Sequence, residues 1–203
     1  MSFADMTVRE FVEELSTDSA TPGGGSGAAI AGAMGAALGE MVCNLTIGKE
    51  DFEDVEDDMA AARETLEGHR ERLLDLADED SAAFDELMAA YRTPEDEGKA
   101  EAIEEASKTA AEVPMETAEE CLAVIEESID VAAKGNPHSV TDAGTAALLA
   151  HASLESALYN VEINLGSIDD EVFCEEMQEK TDQLVEDADA ALAKAQDAVD
   201  ANL

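Results

Sequence analysis

The chain has 203 residues, of which 50 are Asp or Glu and only 11 are Lys or Arg, so its formal net charge is −39. This balance excludes a typical nucleic-acid-binding protein, which needs a basic surface, and it disfavours an anionic membrane surface as a partner. Apolar residues make up 45% of the chain. Because acidic residues are interspersed with periodic apolar ones, the sequence predicts a folded core and not a disordered acidic protein.

The acidic excess has two interpretations. The protein could buffer cations or mimic an acidic molecule, or it could be adapted to a cell of high salt concentration. Acids are dispersed and lysine is scarce, which favours the second interpretation, because molar salt shortens the Debye length to about 3 Å and screens repulsion. Cys43, Cys121 and Cys174 form no CxxC pair, and the acidic N-terminus gives no sign of a signal peptide. We therefore expect a reduced cytoplasm as the location.

The predicted elements are all helices. Thr7 and Glu10 form a capping box that begins the first helix. The second, over residues 26–46, carries a single charged residue, Glu40, and repeats small residues at three- and four-residue spacing. We interpret it as a fully buried central helix whose backbone other helices approach closely. A membrane span is the alternative, although no basic flanking residues support one.

Helical periodicity predicts five further helices, over residues 51–91, 96–112, 115–134, 141–165 and 169–201. Pro114 is expected in the first turn of the 115–134 helix, where its missing N–H is tolerated. The predicted fold is a single all-α domain, 1–203, built as an antiparallel helical bundle with two alanine-rich buried helices, 26–46 and 141–165, at its centre. Two helices with so few charges offer more apolar surface than a bundle of this length needs to bury, so we expect a homodimer.

A glycine-rich loop precedes the first of these two helices and contains Gly23, Gly24, Gly25 and Ser26. Glycine permits close approach of the backbone, and free N–H groups at a helix N-terminus suit an anion. The loop is therefore a candidate binding site. A plain turn in which Ser26 caps the helix is the alternative.

A second polar loop, residues 135–144, precedes the other alanine-rich helix and contains three candidate binding residues, Asn136, His138 and Ser139. Asp142 follows in the first helical turn, where it could stabilise the helix dipole or act as a general acid and base. His138 could also move protons. Because His138 and His151 have no carboxylate at ligand spacing, we expect no metal site.

Three further polar residues stand beside uncharged segments. Lys49 follows the 26–46 helix and could bind a carboxylate or polarise a leaving group, although a surface ion pair is the alternative. Asn160 and Asn164 lie four residues apart on one helical face, where buried amides need partners. Those partners could be each other's backbone, a second subunit or a heterocyclic ligand. The residue pattern alone does not identify a substrate.

Four segments, in the same order, resemble the C-terminal domain family of formiminotransferase-cyclodeaminase. They are TPGGGSGAAIAGAMGAALGEMVCNLTIGK (21–49), DEDSAAFDELMAAYRTP (78–94), AAEVPMETAEEC (110–121), and the long segment that begins GNPHSVTDAGTAALLAHASLES (135–165). Together they span almost the whole chain. The combination is much more specific than any one segment.

The resemblance implies an all-helical dimer that binds reduced folate and needs no metal or redox cofactor. One family activity is 5,10-methenyltetrahydrofolate cyclohydrolase, which adds water to the carbon bridging N5 and N10 and gives 10-formyltetrahydrofolate. The other is formimidoyltetrahydrofolate cyclodeaminase, which closes that ring and releases ammonia. We favour the cyclohydrolase because no fused transferase domain is recognised. A non-catalytic folate-binding or scaffold dimer is the alternative from another class.

Residue roles follow from where polar groups fall within the shared segments. Asp142 is expected to move protons at the bridging carbon, while Lys49 and Asn136 orient folate or stabilise charge. Asp80 is a second candidate acid. The Gly23–Ser26 loop is expected to receive a polar part of folate, such as its glutamate carboxylate. His138 stands where we expect Asn in relatives, and it remains a binding candidate together with Ser139, Asn160 and Asn164.

Overall fold

The computed structural model describes residues 2–203. This part of the chain contains six α-helices and four short 3₁₀ turns, and no strand is present. The helices are α1 (Val8–Leu15), α2 (Gly24–Thr46), α3 (Glu56–Ala90), α4 (Lys99–Lys134), α5 (Val140–Leu165) and α6 (Glu171–Asn202). The prediction of an all-α bundle is confirmed.

Successive long helices of the bundle run antiparallel. The N-terminus of α2 meets the C-terminal half of α3, where the Ser26 amide donates to Asp80, and α2 also packs along α5. Helices α4 and α6 are parallel neighbours, since Lys108 pairs with Asp170 and Lys180 with Glu119. As a result α2 lies between α3 and α5 and also contacts α4.

Small residues on one face of α2 allow its neighbours to come close. A Cβ atom at Gly35 would lie 2.9 Å from the carbonyl oxygen of Ala146 on α5. At Gly39, a Cβ atom would lie 2.8 Å from a methyl group of Leu66 on α3. The predicted close approach is therefore observed, and these contacts fix the spacing of α2, α3 and α5 in the bundle.

The prediction that α2 is fully buried is wrong for the single chain. Its outer face carries large apolar side chains, and Met34 is 57% exposed while Leu45 is 42% exposed. The outer face of α5 is similar, with Tyr159 70% exposed. The small residues bury only the inner face, because close helix packing there leaves the larger side chains outside. By length and composition α2 could cross a membrane, and half of its apolar segment is buried in the bundle.

The predicted break at Pro114 is also wrong, because α4 continues through it from Lys99 to Lys134. A proline inside a helix deprives the carbonyl four residues earlier of its N–H donor. Here that carbonyl belongs to Ala110, and it accepts a hydrogen bond from Asn164 Nδ2 on α5 at 2.7 Å. Pro114 itself is buried. Tertiary packing and this substitute donor therefore offset the cost of the proline.

Other helix boundaries differ by a few residues. The capping box of Thr7 and Glu10 is confirmed. Helix α2 begins at Gly24 with Gly23 as its N-cap, so the alternative in which Ser26 caps the helix is wrong. A 3₁₀ turn, Glu50–Val55, occupies the predicted start of α3.

Basic residues are few, and several of them join neighbouring helices. Five of them connect different helices or helix ends, in the pairs Arg70–Glu40, Arg72–Glu116, Lys108–Asp170, Lys134–Asp58 and Lys180–Glu119. Each such pair at a partly exposed site contributes only about 0–1 kcal/mol. Most acidic side chains have no basic partner, since acids outnumber bases 50 to 11.

The close contact at Gly35 gives a direct test of this packing. We expect Gly35→Ala to lower the free energy of unfolding by about 1–3 kcal/mol, because the new methyl group meets backbone atoms of α5. Gly68→Ala on α3 is the matched control, since a Cβ there has no neighbour within 4 Å. That change should stabilise the protein by up to about 1 kcal/mol through helix propensity. Denaturant unfolding of both variants measures the difference, and equal effects would contradict the packing described.

Candidate active site

A cavity of about 280 Å³ opens where the N-terminus of α2 meets the C-terminal parts of α3 and α5. Its polar lining comes from the glycine-rich loop, Asp80, Asn160 and Asn164. Its apolar lining includes Phe84, Leu87 and Ile163. The structure therefore brings one predicted loop together with three predicted polar residues that are far apart in sequence.

The Asp80 carboxylate lies against the N-terminus of α2. Its Oδ2 atom accepts hydrogen bonds from the backbone N–H and the hydroxyl of Ser26, both at 2.8 Å. Position 25 must be glycine for this arrangement, because a Cβ atom there would overlap the carboxylate. Within residues 2–203, Oδ1 has no hydrogen-bond partner. One oxygen is therefore fixed and the other is available to the cavity.

Burial raises the pKa of the Asp80 carboxyl above its ordinary value of 3.8, because the charged form loses hydration. The two hydrogen bonds from Ser26 act in the opposite direction and lower the pKa. The net result is a carboxyl group that accepts protons more readily than a solvated aspartate. This property suits a general base that must also act as an acid within one reaction cycle.

Ser26 is not among the residues that line the cavity, and its predicted role in substrate binding stays a prediction. Its side chain is fully buried, and its hydroxyl is engaged with Asp80 and, at 3.2 Å, with the hydroxyl of Ser81. Because α2 starts two residues earlier than predicted, Ser26 points inward toward α3. A hydroxyl next to Asp80 in the DEDS sequence was the only signal for Ser81, and sequence analysis missed it.

The predicted anion site at this loop stays a prediction, and the charge already present there disfavours it. The Ser26 N–H, which was expected to be free for a substrate carboxylate, already binds the protein's own carboxylate, Asp80. A second carboxylate placed here would meet a like charge at close range. The backbone of Gly23, Gly24 and Gly25 still lines the cavity, so these residues can contact an uncharged part of a ligand.

Asn160 and Asn164 line the cavity while their amide nitrogens bind backbone carbonyls. Asn160 Nδ2 donates to Ser156 at 2.8 Å. Asn164 Nδ2 donates to the carbonyls of Ala110 and Asn160, at 2.7 and 2.8 Å. The amide oxygens remain as hydrogen-bond acceptors at the cavity. The structure thus shows the backbone contacts that the sequence left open. Binding of a ligand by the two amide oxygens stays a prediction.

The second predicted loop lies at the opposite end of α2. Asn136 holds this loop against the C-terminus of α2, since its backbone N–H donates to Thr46 Oγ1 at 2.8 Å and its amide donates to the Leu45 carbonyl. The length of α2, 23 residues, corresponds to about 33 Å between the two ends. Within one chain, therefore, the Asp80 cavity and the second loop cannot bind the same small molecule.

The residues of this second group differ in their surroundings. Ser139 is buried, and its hydroxyl donates to the Asn136 carbonyl at 3.0 Å. Lys49 and His138 are exposed, and Asp142 lies in the first turn of α5 as predicted. Within residues 2–203, no group of three His, Cys, Asp or Glu side chains is placed to hold a metal ion. The roles predicted for Asp142 and Lys49 stay predictions.

The apolar walls of the Asp80 cavity were not predicted as part of a site. Phe84 lies one helical turn after Asp80, and Ile163 precedes Asn164, so each wall residue neighbours a polar site residue in sequence. Local sequence could have suggested their proximity. It could not show that α3 and α5 face each other across the start of α2.

Comparisons with known proteins agree with this fold. A family model described as formiminotransferase-cyclodeaminase matches residues 7–183. A methenyltetrahydrofolate cyclohydrolase from Methylorubrum extorquens is 43% identical over 189 residues, which cover 91% of each chain. The formimidoyltransferase-cyclodeaminase of Rattus norvegicus is 32% identical over 192 residues, but only 36% of that longer protein is covered.

A solved structure shows that the fold is shared as well as the sequence. A formiminotetrahydrofolate cyclodeaminase from Thermotoga maritima superposes on this chain with a TM-score of 0.91, at 33% identity, and 98% of each chain is covered. The resemblance noted in the sequence and its assignment to folate enzymes are confirmed by these matches. The chain belongs to the formiminotransferase-cyclodeaminase family.

Proposed function

We propose that the protein hydrolyses 5,10-methenyltetrahydrofolate to 10-formyltetrahydrofolate and that Asp80 is its catalytic acid and base. The observation that carries the proposal is the Asp80 carboxylate, which is held by Ser26 and has one oxygen available to a cavity. The choice of reaction is supported by the 43% identity to a protein named methenyltetrahydrofolate cyclohydrolase. This proposal moves the main catalytic role from Asp142 to Asp80.

The chemistry needs one group that can take and return a proton. A water oxygen bonds to the bridging carbon while Asp80 takes one of the water protons. The bond from this carbon to N5 then breaks, and N5 takes the proton from Asp80. The remaining hydroxyl proton leaves to solvent as the formyl C=O forms. Water is the only co-reactant and no oxidation state changes, so the proposed reaction needs no redox cofactor. We propose that it also proceeds without a metal, with Asp80 as the acid and base.

Formimidoyltetrahydrofolate cyclodeaminase is the second candidate activity. Its support is the structural match to a cyclodeaminase and the curated cyclodeaminases at 31–35% identity. Both reactions pass through a tetrahedral carbon between two nitrogens, and Asp80 could serve either. In the cyclodeaminase reaction, N10 attacks the formimino carbon, Asp80 moves the N10 proton to the formimino nitrogen, and this nitrogen leaves as ammonia.

Assays with each purified substrate distinguish the two activities. We expect the protein to remove the absorbance of methenyltetrahydrofolate, with 10-formyltetrahydrofolate as the product. Appearance of that absorbance from formimidoyltetrahydrofolate, with release of ammonia, would instead assign the cyclodeaminase. If neither substrate reacts, the protein is a non-catalytic folate-binding or scaffold protein and the proposal fails.

Asp80→Asn tests the catalytic assignment in the same assays. We expect turnover to fall by about 100-fold or more, while the fold remains, because an amide oxygen can accept both hydrogen bonds from Ser26. For the wild type, the rate should fall as pH decreases through the raised pKa of Asp80, since only the ionised carboxylate takes a proton. Asp85→Asn, an exposed position on the same helix, is the control and should keep full activity. Full activity of Asp80→Asn would remove this residue from the mechanism.

We also propose that two copies pair through the outer faces of α2 and α5. These faces expose large apolar side chains, among them Met34, Met41, Leu45, Leu148, Tyr159 and Ile163. In a protein of charge −39, two copies repel each other least where charges are fewest, and on these faces exposed acids are few, with Glu155 and Glu162 beside Tyr159 on α5. A two-fold axis near the middle of α2 would bring the second loop of one subunit, with Lys49 and Asp142, close to the Asp80 cavity of its partner.

Mixed dimers test this arrangement. Asp80→Asn and Asp142→Asn, each inactive alone, should regain activity when co-expressed with different tags and purified together. Purification through both tags keeps only mixed dimers, and each has one intact site of two, so about half of wild-type activity is expected. Activity of Asp142→Asn alone, or no recovery in mixed dimers, would contradict a site shared between subunits.

Finally, we propose that the protein works in a cytoplasm of high salt concentration and contacts neither nucleic acid nor a membrane. The support is the excess of 50 acids over 11 bases. We expect helix content and turnover to fall together when KCl is lowered from about 2 M to about 0.1 M, because repulsion is then less screened. Circular dichroism and the hydrolysis assay measure both. Full activity at low salt would refute the adaptation without affecting the folate assignment.

A further inference from the structure

The amide of Asn164 is fixed in one orientation at the wall of the Asp80 cavity. Both hydrogens of Nδ2 are used, one by the Ala110 carbonyl at 2.7 Å and the other by the Asn160 carbonyl at 2.8 Å. If the amide were turned around, its oxygen would face the same two carbonyl oxygens, and neither of these can donate a hydrogen bond. The Oδ1 atom has no partner in residues 2–203. Asn164 therefore presents an acceptor to the cavity that it lines.

The Ala110 carbonyl can hold this amide because of Pro114. In an uninterrupted α-helix this carbonyl would accept the N–H of residue 114, but proline has none. Ala110 is only 7% exposed, so its carbonyl needs another donor, and Asn164 supplies it. A proline that costs α4 one helical hydrogen bond thus sets the direction of a side chain on α5.

The hydrogen-bond acceptors and apolar walls of the cavity together define which chemical group of a ligand fits it. Asp80 Oδ1 and Asn164 Oδ1 are acceptors, and Phe84, Leu87 and Ile163 supply apolar walls. A suitable ligand group has N–H donors along an edge and apolar faces. A carboxylate does not fit, because it would bring a second negative charge close to Asp80.

We propose that this cavity binds the pterin ring of reduced folate, with Asn164 as a specificity-determining residue and Pro114 as a positioning residue. The proposal rests on the proposed folate activity and deepens it. The ring carries N–H groups at N3, at N8 and on the exocyclic 2-amino group. N5, the atom that must lie near Asp80 for the proton transfer, belongs to the same fused ring system. The glutamate tail then extends away from Asp80, which is the opposite of the orientation that the glycine-rich loop suggested from sequence.

The unpaired oxygen of Asn164 lets the site distinguish between ring ligands that carry N–H donors and those that do not. A ring with N–H donors satisfies Asn164 Oδ1, whereas a ring without them leaves this atom desolvated and without a partner. A site built to hydrogen-bond a donor therefore rejects analogues that lack it more strongly than an apolar pocket would.

Titration calorimetry with two folate fragments tests the proposal without any need for turnover. The probes are 6-methyltetrahydropterin, which has the ring alone, and p-aminobenzoylglutamate, which has the tail alone. We expect Asn164→Ala to weaken binding of the tetrahydropterin by about tenfold or more and to leave binding of the tail fragment unchanged. Asn202→Ala is the matched control, because Asn202 Nδ2 also donates to one carbonyl on α4, Ala132, and one on its own helix.

Pro114→Ala separates positioning from stability. The restored N–H competes for the Ala110 carbonyl, so Asn164 is less firmly held and the KM for methenyltetrahydrofolate should rise several-fold with little change in kcat. The melting temperature should stay equal or increase, because a helical hydrogen bond is gained. A purely structural proline would leave KM unchanged.

Three results would overturn the proposal: unchanged tetrahydropterin binding in Asn164→Ala, equal loss of both fragments, or an equal loss in Asn202→Ala. The outcome is independent of the proposed reaction. If methenyltetrahydrofolate is not hydrolysed but tetrahydropterin binding depends on Asn164, the pterin site stands and the cyclohydrolase assignment fails. If hydrolysis occurs and binding does not depend on Asn164, the reverse holds.

Discussion

The close packing of α2 against α3 and α5 is the constraint on which the site depends. Small residues such as Gly35 and Gly39 let the neighbouring helices approach the α2 backbone. At the N-terminus of α2, the same closeness places Asp80 directly over Gly25 and brings Asn160 to within 3.8 Å of a Cβ position at Gly24. The alanine-rich helix is therefore both the centre of the bundle and the floor of the cavity.

Within the cavity, backbone groups have a specific task, which is to orient side chains. The Ser26 N–H holds one oxygen of Asp80, and the carbonyls of Ala110 and Asn160 hold the amide of Asn164. In each case the bound atom fixes the direction of the free oxygen on the same side chain, which is Oδ1 in both Asp80 and Asn164. Hydrogen bonds from rigid helices position such groups more precisely than loop contacts do, which suits a reaction that requires a proton at one particular nitrogen.

The distribution of charge is consistent with this arrangement. Most acidic side chains lie on the outer helices, and five of the 11 basic residues form ion pairs between neighbouring helices. The outer faces of α2 and α5 combine low charge with exposed apolar residues such as Met34 and Tyr159. An anionic substrate gains nothing from the overall field of such a protein. Binding must depend on local hydrogen bonds and apolar contacts, and the cavity offers both.

Sequence alone determined the helical class, the capping box at Thr7, the small-residue face of α2 and the family, because each depends on local periodicity or on a matching segment. It could not decide which residues share a site. Asp142 and Asp80 were both candidate acids. Only the packing placed Asp80 beside Gly25, at the N-terminus of α2, and left Asp142 in the first turn of α5, toward the opposite end of the bundle. Likewise, local rules put a helix boundary at Pro114, whereas the tertiary structure continues the helix because Asn164, fifty residues later, supplies the missing donor. Partners of this kind are set by which helices become neighbours, and neighbours depend on the packing of the whole chain.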